Sequence, residues 1–280
     1  MIFFIVYLYG SGIGDEVAVA AERDMVMEET ETGARIAILR ARQNEKDFLM
    51  KKDRLYIDKH AETMLVLYQH LKVMQENIHS DQGMEAVEQL LALSHKYEAG
   101  FQSMVNAQIT LGLNGKSGLI GNLHYAANNI ENTLNELNRD ELMVQMLMMR
   151  RHEKNYLARG DEKHIGQMAQ SKGRFGVLLS DSGLAKKLRR QIRSNLNSYY
   201  NDFNALVRGM KEIKIVIADF HETVNQTEPA FDRVEIVVHA LRHSNEIFYE
   251  QANQRVTLLY VVAMIIGAIV IIAGVVFLVL

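Results

Sequence analysis

Two arginines occupy matching positions of a segment that occurs twice in this chain, and their chemistry is that of carboxylate binding. Residues 42–53 return as residues 150–161, with Arg, Glu, Lys, Leu and Asp unchanged at the matching positions. Arg42 and Arg150 each share a helix face with apolar residues, so each guanidinium is predicted to point toward a bundle interior. Because a guanidinium fork matches a carboxylate bidentately, we predict small-acid binding at both, with Lys154 as a third ligand-binding residue. The apolar neighbours are Ile38, Leu39 and Leu49 for Arg42, and Met146, Leu147 and Leu157 for Arg150.

A structural role is the alternative for the same three side chains. Arg42 with Glu45, and Arg150 with Glu153, have the spacing of intrahelical ion pairs that hold the register of a bundle. Lys154 has a long apolar stem that can lie along a bundle edge while its ammonium stays in water. Both interpretations are open at this point.

The other motifs that could support catalysis or bind a metal are incomplete. The Gly-Lys-Ser segment at 115–117 resembles part of a phosphate-binding loop, but Thr110 stands where that loop requires glycine. A di-iron site in a four-helix bundle needs two Glu-x-x-His motifs, and only Glu76 with His79 fits. The sequence has no cysteine, which excludes thiolate ligands and thiol catalysis. We therefore predict no enzymatic activity, no metal site and no cofactor.

The composition favours a helical protein and disfavours nucleic acid as a partner. The 280 residues include a single proline, Pro229, so the chain lacks the turn signals of all-β and short-loop α/β folds. Lys and Arg number 31 against 34 Asp and Glu, a net charge of −3, which gives no basic surface for nucleic acid. We predict an all-α fold.

Both ends of the chain are apolar and carry no charged side chain. Residues 256–280 are long enough as a helix to cross the roughly 30 Å hydrocarbon core of a bilayer, so they predict a transmembrane helix. Residues 1–9 are too short to span a bilayer and lack the basic start of a signal peptide. We interpret them as part of a first transmembrane helix whose beginning precedes this sequence. The lipid bilayer is therefore an expected partner.

The region between the apolar ends, residues 10–255, has helical periodicity almost throughout. Six or seven helices are predicted, because turn signals are few. Ser80 and the segment 180–182 have the composition of helix N-caps. Pro229 predicts a kink or a restart in the last helix.

A second repeated pattern supports an internal duplication. Tyr97 and Phe101 return as Tyr199 and Phe203, with the same spacing and a similar distance from the Glu-Lys segment. Since a helix pair cannot bury its apolar stripe alone, two copies of one helical unit predict two stacked four-helix bundles that share two long helices.

At these residues the sequence resembles a known family. Arg-x-x-Glu-Lys-Asp-Phe-Leu at 42–49, the related segment at 149–157 and the glycine-rich segment 112–121 are similar to the helical bimodular sensor domain of bacterial methyl-accepting chemotaxis receptors and sensor kinases. The resemblance covers nearly all of residues 15–255. In those receptors an arginine six residues before the aromatic binds the acid, and Arg42 and Arg150 match that position.

The resemblance implies an architecture and a cellular location. Residues 10–255 are expected to be periplasmic, between two helices in the bacterial inner membrane. The membrane-proximal module is expected at about 15–112 plus 225–255, and the membrane-distal module at about 113–224. Each module of such a domain can hold a small ligand. Glu45 replaces a second arginine of the family's first module, which weakens the expectation of acid binding there.

The implied function is that of the sensory input region of a transmembrane chemotaxis receptor. Such a region forms a homodimer, binds a small organic acid or a periplasmic binding protein, and relays a helix displacement across the membrane. A complete receptor continues into a signalling coiled coil, so we expect this chain, which stops at Leu280, to be an input region without its output. The alternative is a membrane-anchored helical rod in the cytosol, a structural or interaction protein without a ligand.

Overall fold

The computed structural model describes the backbone of residues 2–279 and the side chains of residues 10–273. Within that range the chain forms seven α-helices and no strand, which confirms the all-α prediction. The predicted partial membrane helix at 1–9 depends on side chains outside the described residues. The helices are α1 Ile2–Lys51, α2 Leu55–Asn77, α3 Asp81–Leu111, α4 Gly118–Glu136, α5 Asp140–Arg159, α6 Lys163–Asp181 and α7 Lys186–Val279.

The predicted cap at Ser80 is confirmed, whereas the cap predicted at 180–182 is wrong. Ser80 Oγ accepts a hydrogen bond from the Gly83 backbone N–H at 3.2 Å, at the start of α3. Residues 180 and 181 instead belong to the end of α6, and Ser182 follows as its C-cap. Arg189 Nη1 donates to the Ser180 carbonyl at 2.8 Å, so a side chain of α7 satisfies a carbonyl that the end of a helix leaves open.

Two features of the helix boundaries were not expected from the sequence. Helix α7 continues through Pro229 without the predicted restart. A break separates α4 from α5 at Asn138, whose φ of 50° lies in the left-handed region that asparagine tolerates better than most residues. No glycine or proline marks this break, so turn composition did not reveal it.

The duplicated segment ends in the same way in both copies. The Lys52 N–H donates to the Phe48 carbonyl at 2.7 Å, and the Gly160 N–H donates to the Tyr156 carbonyl at 2.7 Å. Lys52 and Gly160 have φ values of 52° and 67°. Each copy therefore ends its helix with a left-handed residue, the usual αL termination.

The chain divides into two compact units. The first unit comprises Met1–Lys46, Leu55–Glu98 and Thr223–Leu280, and the second comprises Asp47–Arg54 and Ala99–Glu222. Compared with the expected modules, residues 47–54 and 99–112 belong to the second unit rather than the first, and residues 223 and 224 belong to the first rather than the second.

The first unit has buried residues on segments of four helices. Each segment contributes apolar side chains at three-and-four spacing, the pattern of a helix with one buried face. The buried apolar residues include Ile38 on α1, Met64, Leu67, Leu71 and Met74 on α2, Val87, Leu90 and Tyr97 on α3, and Phe231 and Val234 on α7.

The second unit has one hydrophobic core to which α4, α5, α6 and α7 all contribute. The spacing is again three and four, so each helix presents one apolar face to the core. The core includes Leu123, Ile130 and Leu134 of α4, Met146, Met149 and Tyr156 of α5, Met168, Phe175 and Leu179 of α6, and Leu196, Tyr199 and Phe203 of α7.

The C-terminal part of α7 matches the predicted membrane helix. Among the described residues, this helix alone is long and apolar enough to cross a membrane. Its large apolar side chains are exposed rather than packed in a core, for example Leu258, Ile269 and Ile271. Their exposure is the arrangement expected of a lipid-facing surface.

Candidate ligand site

Arg150 lies in the second unit and contacts two carboxylates. Its Nη1 donates to both oxygens of Glu153 at 2.8 Å, and its Nε is 3.3 Å from Glu131 Oε1. Burial by itself lowers the pKa of Arg150. The carboxylates of Glu153 and Glu131 more than offset this effect of burial, so the pKa of Arg150 is raised. The Arg150–Glu153 pair considered from the sequence is therefore present, and Glu131 adds an interhelical partner from α4.

Glu153 is the centre of this cluster and is fully buried. Besides Arg150, it accepts a hydrogen bond of 2.6 Å from the Tyr199 hydroxyl of α7. Burial and the adjacent carboxylate raise the pKa of Tyr199 above its usual range, so the hydroxyl stays protonated and donates. A buried carboxylate that receives several charge-assisted hydrogen bonds satisfies the condition under which an ion is tolerated in a protein interior.

His124 of α4 lies beside the same carboxylate. Its Nδ1 is 2.9 Å from the Gly115 carbonyl oxygen, so this nitrogen carries the proton in the neutral ring. Its Nε2 is 3.6 Å from Glu153 Oε1. The glycine-rich segment that precedes α4 thus orients a histidine toward the buried acid.

The first unit repeats part of this arrangement. Glu45 is 4% exposed and accepts a hydrogen bond of 3.1 Å from the Tyr97 hydroxyl. Arg42, the counterpart of Arg150, has its ion pair with Glu228 of α7, at 3.7 Å from Nη1 to Oε2. This pair between helices is longer and more exposed than the Arg150–Glu153 pair of the second unit.

The aromatic residues of the two copies also have the same geometry. Phe48 and Phe101 meet edge to face with ring centroids 5.9 Å apart and planes at 74°. Tyr156 and Phe203 do so at 5.8 Å and 72°. In both copies, therefore, the aromatic residue of the Glu-Lys segment packs against the phenylalanine of the Tyr-x3-Phe pattern, although the two segments lie far apart in the sequence.

Lys154 and two predicted interior neighbours of the arginines are at the surface. Lys154 is exposed. Leu39 and Leu147, three residues before the arginines, are 54% and 53% exposed, so they do not contribute to the interior expected around them. The residues four positions before the arginines, Ile38 and Met146, are buried as predicted. Each guanidinium therefore lies at the edge of its buried face.

The geometry shows two positively charged groups held at the edge of helical units by buried or neighbouring carboxylates. The sequence contained both halves of the repeat, the Glu-Lys segment and the Tyr-x3-Phe pattern. It did not reveal that the repeated glutamate and tyrosine bond to each other. The sequence did contain an indication of this hydrogen bond, because Glu45 and Tyr97 of the first copy recur together as Glu153 and Tyr199 of the second.

His60 is a further buried group that the sequence did not single out. It is 2% exposed and stacks on Tyr97 with ring centroids 5.5 Å apart. Burial lowers the pKa of His60 to about 4. The ring is therefore neutral at pH 7 and forms part of the packing of the first unit.

The stability of the first unit is expected to fall as the pH is lowered from about 6.5 to about 4. In this window the unfolded chain binds a proton at His60, with its ordinary pKa of about 6.5, whereas the native state does not. The stabilisation is complete above pH 6.5, and its loss on acidification is on the order of 3 kcal/mol. Urea unfolding at pH 7 and pH 4.5 checks this in the full chain in detergent micelles. His60→Gln should have a smaller pH dependence, whereas the exposed His79→Gln should match the parent; equal pH dependence in all three contradicts the prediction.

No known family model and no curated protein matches this sequence. The resemblance to helical bimodular sensor domains therefore stays a prediction that rests on the residues quoted for it.

Proposed function

We propose that this chain is the sensory input region of a transmembrane receptor of the helical bimodular type. The first unit is then the membrane-proximal module, since it contains the charged residues directly before Val256, and the second unit is the membrane-distal module. The modules are two stacked four-helix bundles, placed in the periplasm of a bacterium and anchored in its inner membrane. Two copies of the chain form the working dimer, as in the receptors that the sequence resembles.

The observation that carries this proposal is the continuity of α7. This helix contains Tyr199 of the second unit, Glu228 of the first unit and the apolar segment that is able to cross a membrane. Both arginines are therefore connected to α7. Arg42 pairs directly with Glu228, and Arg150 bonds to Glu153, which accepts a hydrogen bond from Tyr199. A ligand that changes either contact acts directly on α7, the helix proposed to cross the bilayer. A ligand relays a signal in this way when it binds more tightly to one of two alternative positions of α7.

Small organic acids are the proposed ligands, with a periplasmic binding protein as the alternative input. A ligand carboxylate is able to take the place of Glu131 or Glu228, because both are partly exposed, whereas Glu153 is completely buried. Lys154 is an exposed cation on the same helix as Arg150 and is available to a ligand from the solvent side.

Arg150→Ala is expected to abolish small-acid binding by the full chain in detergent micelles. Isothermal calorimetry with a panel of carboxylates measures it, after a thermal-shift screen selects an acid that binds the parent. The exposed neighbour Arg151 provides the matched control, and Arg151→Ala should retain parental affinity. Arg42→Ala tests for a second site in the first unit. A change in acid binding by this variant indicates two sites, whereas parental binding indicates a single site at Arg150. Unchanged affinity in Arg150→Ala, or no binding of any acid by the parent, overturns the ligand assignment.

The membrane orientation distinguishes the receptor from the cytosolic rod. The natural chain has no cysteine, so a single Lys116→Cys substitution in the exposed loop before α4 introduces the only thiol. A membrane-impermeant maleimide should label this thiol in intact spheroplasts if residues 10–255 are periplasmic. Labelling that occurs only after lysis indicates the cytosolic rod and contradicts the receptor.

A further inference from the structure

A cavity of about 350 Å³ lies within the first unit, and neither Arg42 nor Arg150 lines it. Its walls are formed by α1, by α7 and by the turn between α2 and α3. Met27 and Val238, which are 5% and 8% exposed, give it an apolar part. The volume is at the small end of the range of about 300–1,000 Å³ for ligand pockets, so the cavity suits a small molecule.

Asp24 places an oriented and uncompensated negative charge in the wall of this cavity. Its Oδ1 accepts a hydrogen bond of 2.7 Å from Asn245 Nδ2, and its Oδ2 accepts one of 2.8 Å from the Tyr249 hydroxyl. Both donors are neutral, and among the described side chains no cation forms an ion pair with Asp24. A carboxylate has about four acceptor positions, so each oxygen of Asp24 can accept another hydrogen bond.

Arg23, the residue directly before Asp24 on α1, places an unmatched positive charge in the same wall. Within residues 10–273 it takes part in no ion pair. Neighbouring residues on a helix do not face each other, so Arg23 and Asp24 are not partners.

The other charged groups of the wall are already paired. Glu28 bonds to Arg242 at 3.0 Å. Glu31 and Glu235 both contact Arg35, at 3.1 Å and 2.8 Å. One positive and one negative group therefore remain for a ligand.

We propose that this cavity binds a free α-amino acid. The ligand carboxylate pairs with Arg23, the ligand ammonium donates to Asp24, and the side chain contacts Met27 and Val238. An amino acid carries both charges on one carbon, which matches two unmatched groups of opposite charge in the wall of one small cavity. A simple carboxylate or a simple amine satisfies only one of them. This inference rests on the proposed function for the consequence of binding, because α7 forms one wall of the cavity, but binding itself is measured separately.

Calorimetry on the full chain in detergent micelles tests the ligand class. The probes are the standard L-α-amino acids, titrated one at a time. Each one that binds is compared with two analogues, one lacking the ammonium and one lacking the carboxylate; for L-alanine these are propionate and ethylamine. At least one amino acid is expected to bind, and both analogues of it should bind at least tenfold more weakly. No binding by any amino acid, or equal binding of an analogue, overturns the inference.

Two variants locate the site. Arg23→Gln and Asp24→Asn should each weaken amino-acid binding about tenfold to a hundredfold, the effect of losing a charge-assisted hydrogen bond. Arg40→Gln and Glu22→Gln remove one positive and one negative charge at exposed positions of α1 outside the cavity wall, and should bind like the parent. Arg23 is exposed, so its variant keeps the test decisive even if Asp24→Asn fails to fold. Unchanged affinity in Arg23→Gln places the ligand elsewhere and overturns the inference.

The outcomes also separate this inference from the proposed function. A spin label at residue 251 of α7, introduced as Gln251→Cys, reports movement near the membrane. Amino-acid binding that leaves the label unmoved supports the cavity and contradicts the relay. Small-acid binding at Arg150 that moves the label, with no amino-acid binding, supports the relay and overturns the cavity assignment.

Discussion

Replacing Glu153 with alanine should lower the free energy of unfolding of the second unit by about 3–5 kcal/mol, as expected when one partner of a buried ion pair is removed. The substitution leaves the Arg150 guanidinium and the Tyr199 hydroxyl without the carboxylate to which both now donate. The guanidinium stays largely buried, so water replaces the lost hydrogen bonds only in part. The expected loss is a large fraction of the stability of an ordinary domain.

Hydrogen exchange detected by mass spectrometry measures this effect in the affected unit, because it reports the opening of individual segments. Peptides from α5 and from residues 186–222 of α7 should lose most protection. Glu141→Ala, at an exposed position of α5, provides the control and should change stability by no more than about 0.5 kcal/mol. A loss below about 1 kcal/mol in the Glu153 variant indicates that the cluster does not stabilise the unit.

Phe203→Ala is expected to have an effect of similar size for a different reason. Phe203 is fully buried, and its ring meets Tyr156 edge to face at 5.8 Å between centroids. Truncation removes the contacts of a whole aromatic ring and leaves a cavity, which costs about 3–5 kcal/mol. The edge-to-face pair adds about 0.5–1.5 kcal/mol beyond the buried area, so Tyr156 also loses a specific partner.

Denaturant unfolding followed by circular dichroism measures the change, with hydrogen exchange to assign it to the second unit. Tyr125 is an aromatic residue of α4 that is 71% exposed, and Tyr125→Ala should have almost no effect. Equal unfolding midpoints for the two variants would show that the core packs loosely around Phe203.

The sequence predicted the helical class and the repeat because both depend on local spacing. The positions of Glu45 and Tyr97 within their helices followed from periodicity, and the second copy repeated them. Their hydrogen bond did not follow, because it depends on how α1 and α3 pack, and three-and-four spacing identifies a buried face without naming its partner.

The arginines illustrate the same limit at the level of the site. The sequence predicts that Arg150 points toward the interior of a helical bundle. The structure places it at the edge of the buried face of α5, because Met146 is buried and Leu147 is exposed. Its second partner, Glu131, lies on another helix and has no fixed spacing from it in the sequence. The cavity beside Asp24 could not be predicted for the same reason, since Asn245 and Tyr249 lie more than 200 residues away along the chain.

The pairing of α1 with the C-terminal half of α7 also determines the order in which the chain can fold. In the first unit, Arg35 contacts Asp232 across 197 positions, and Asp24 contacts Tyr249 across 225. In the second unit, Tyr199 reaches Glu153 across only 46. Because closing long loops is slow, the second unit can form while α1 still lacks its partner. Helix α1 is therefore synthesised long before its partner segment of α7, and it completes its packing only after residue 249 has been synthesised.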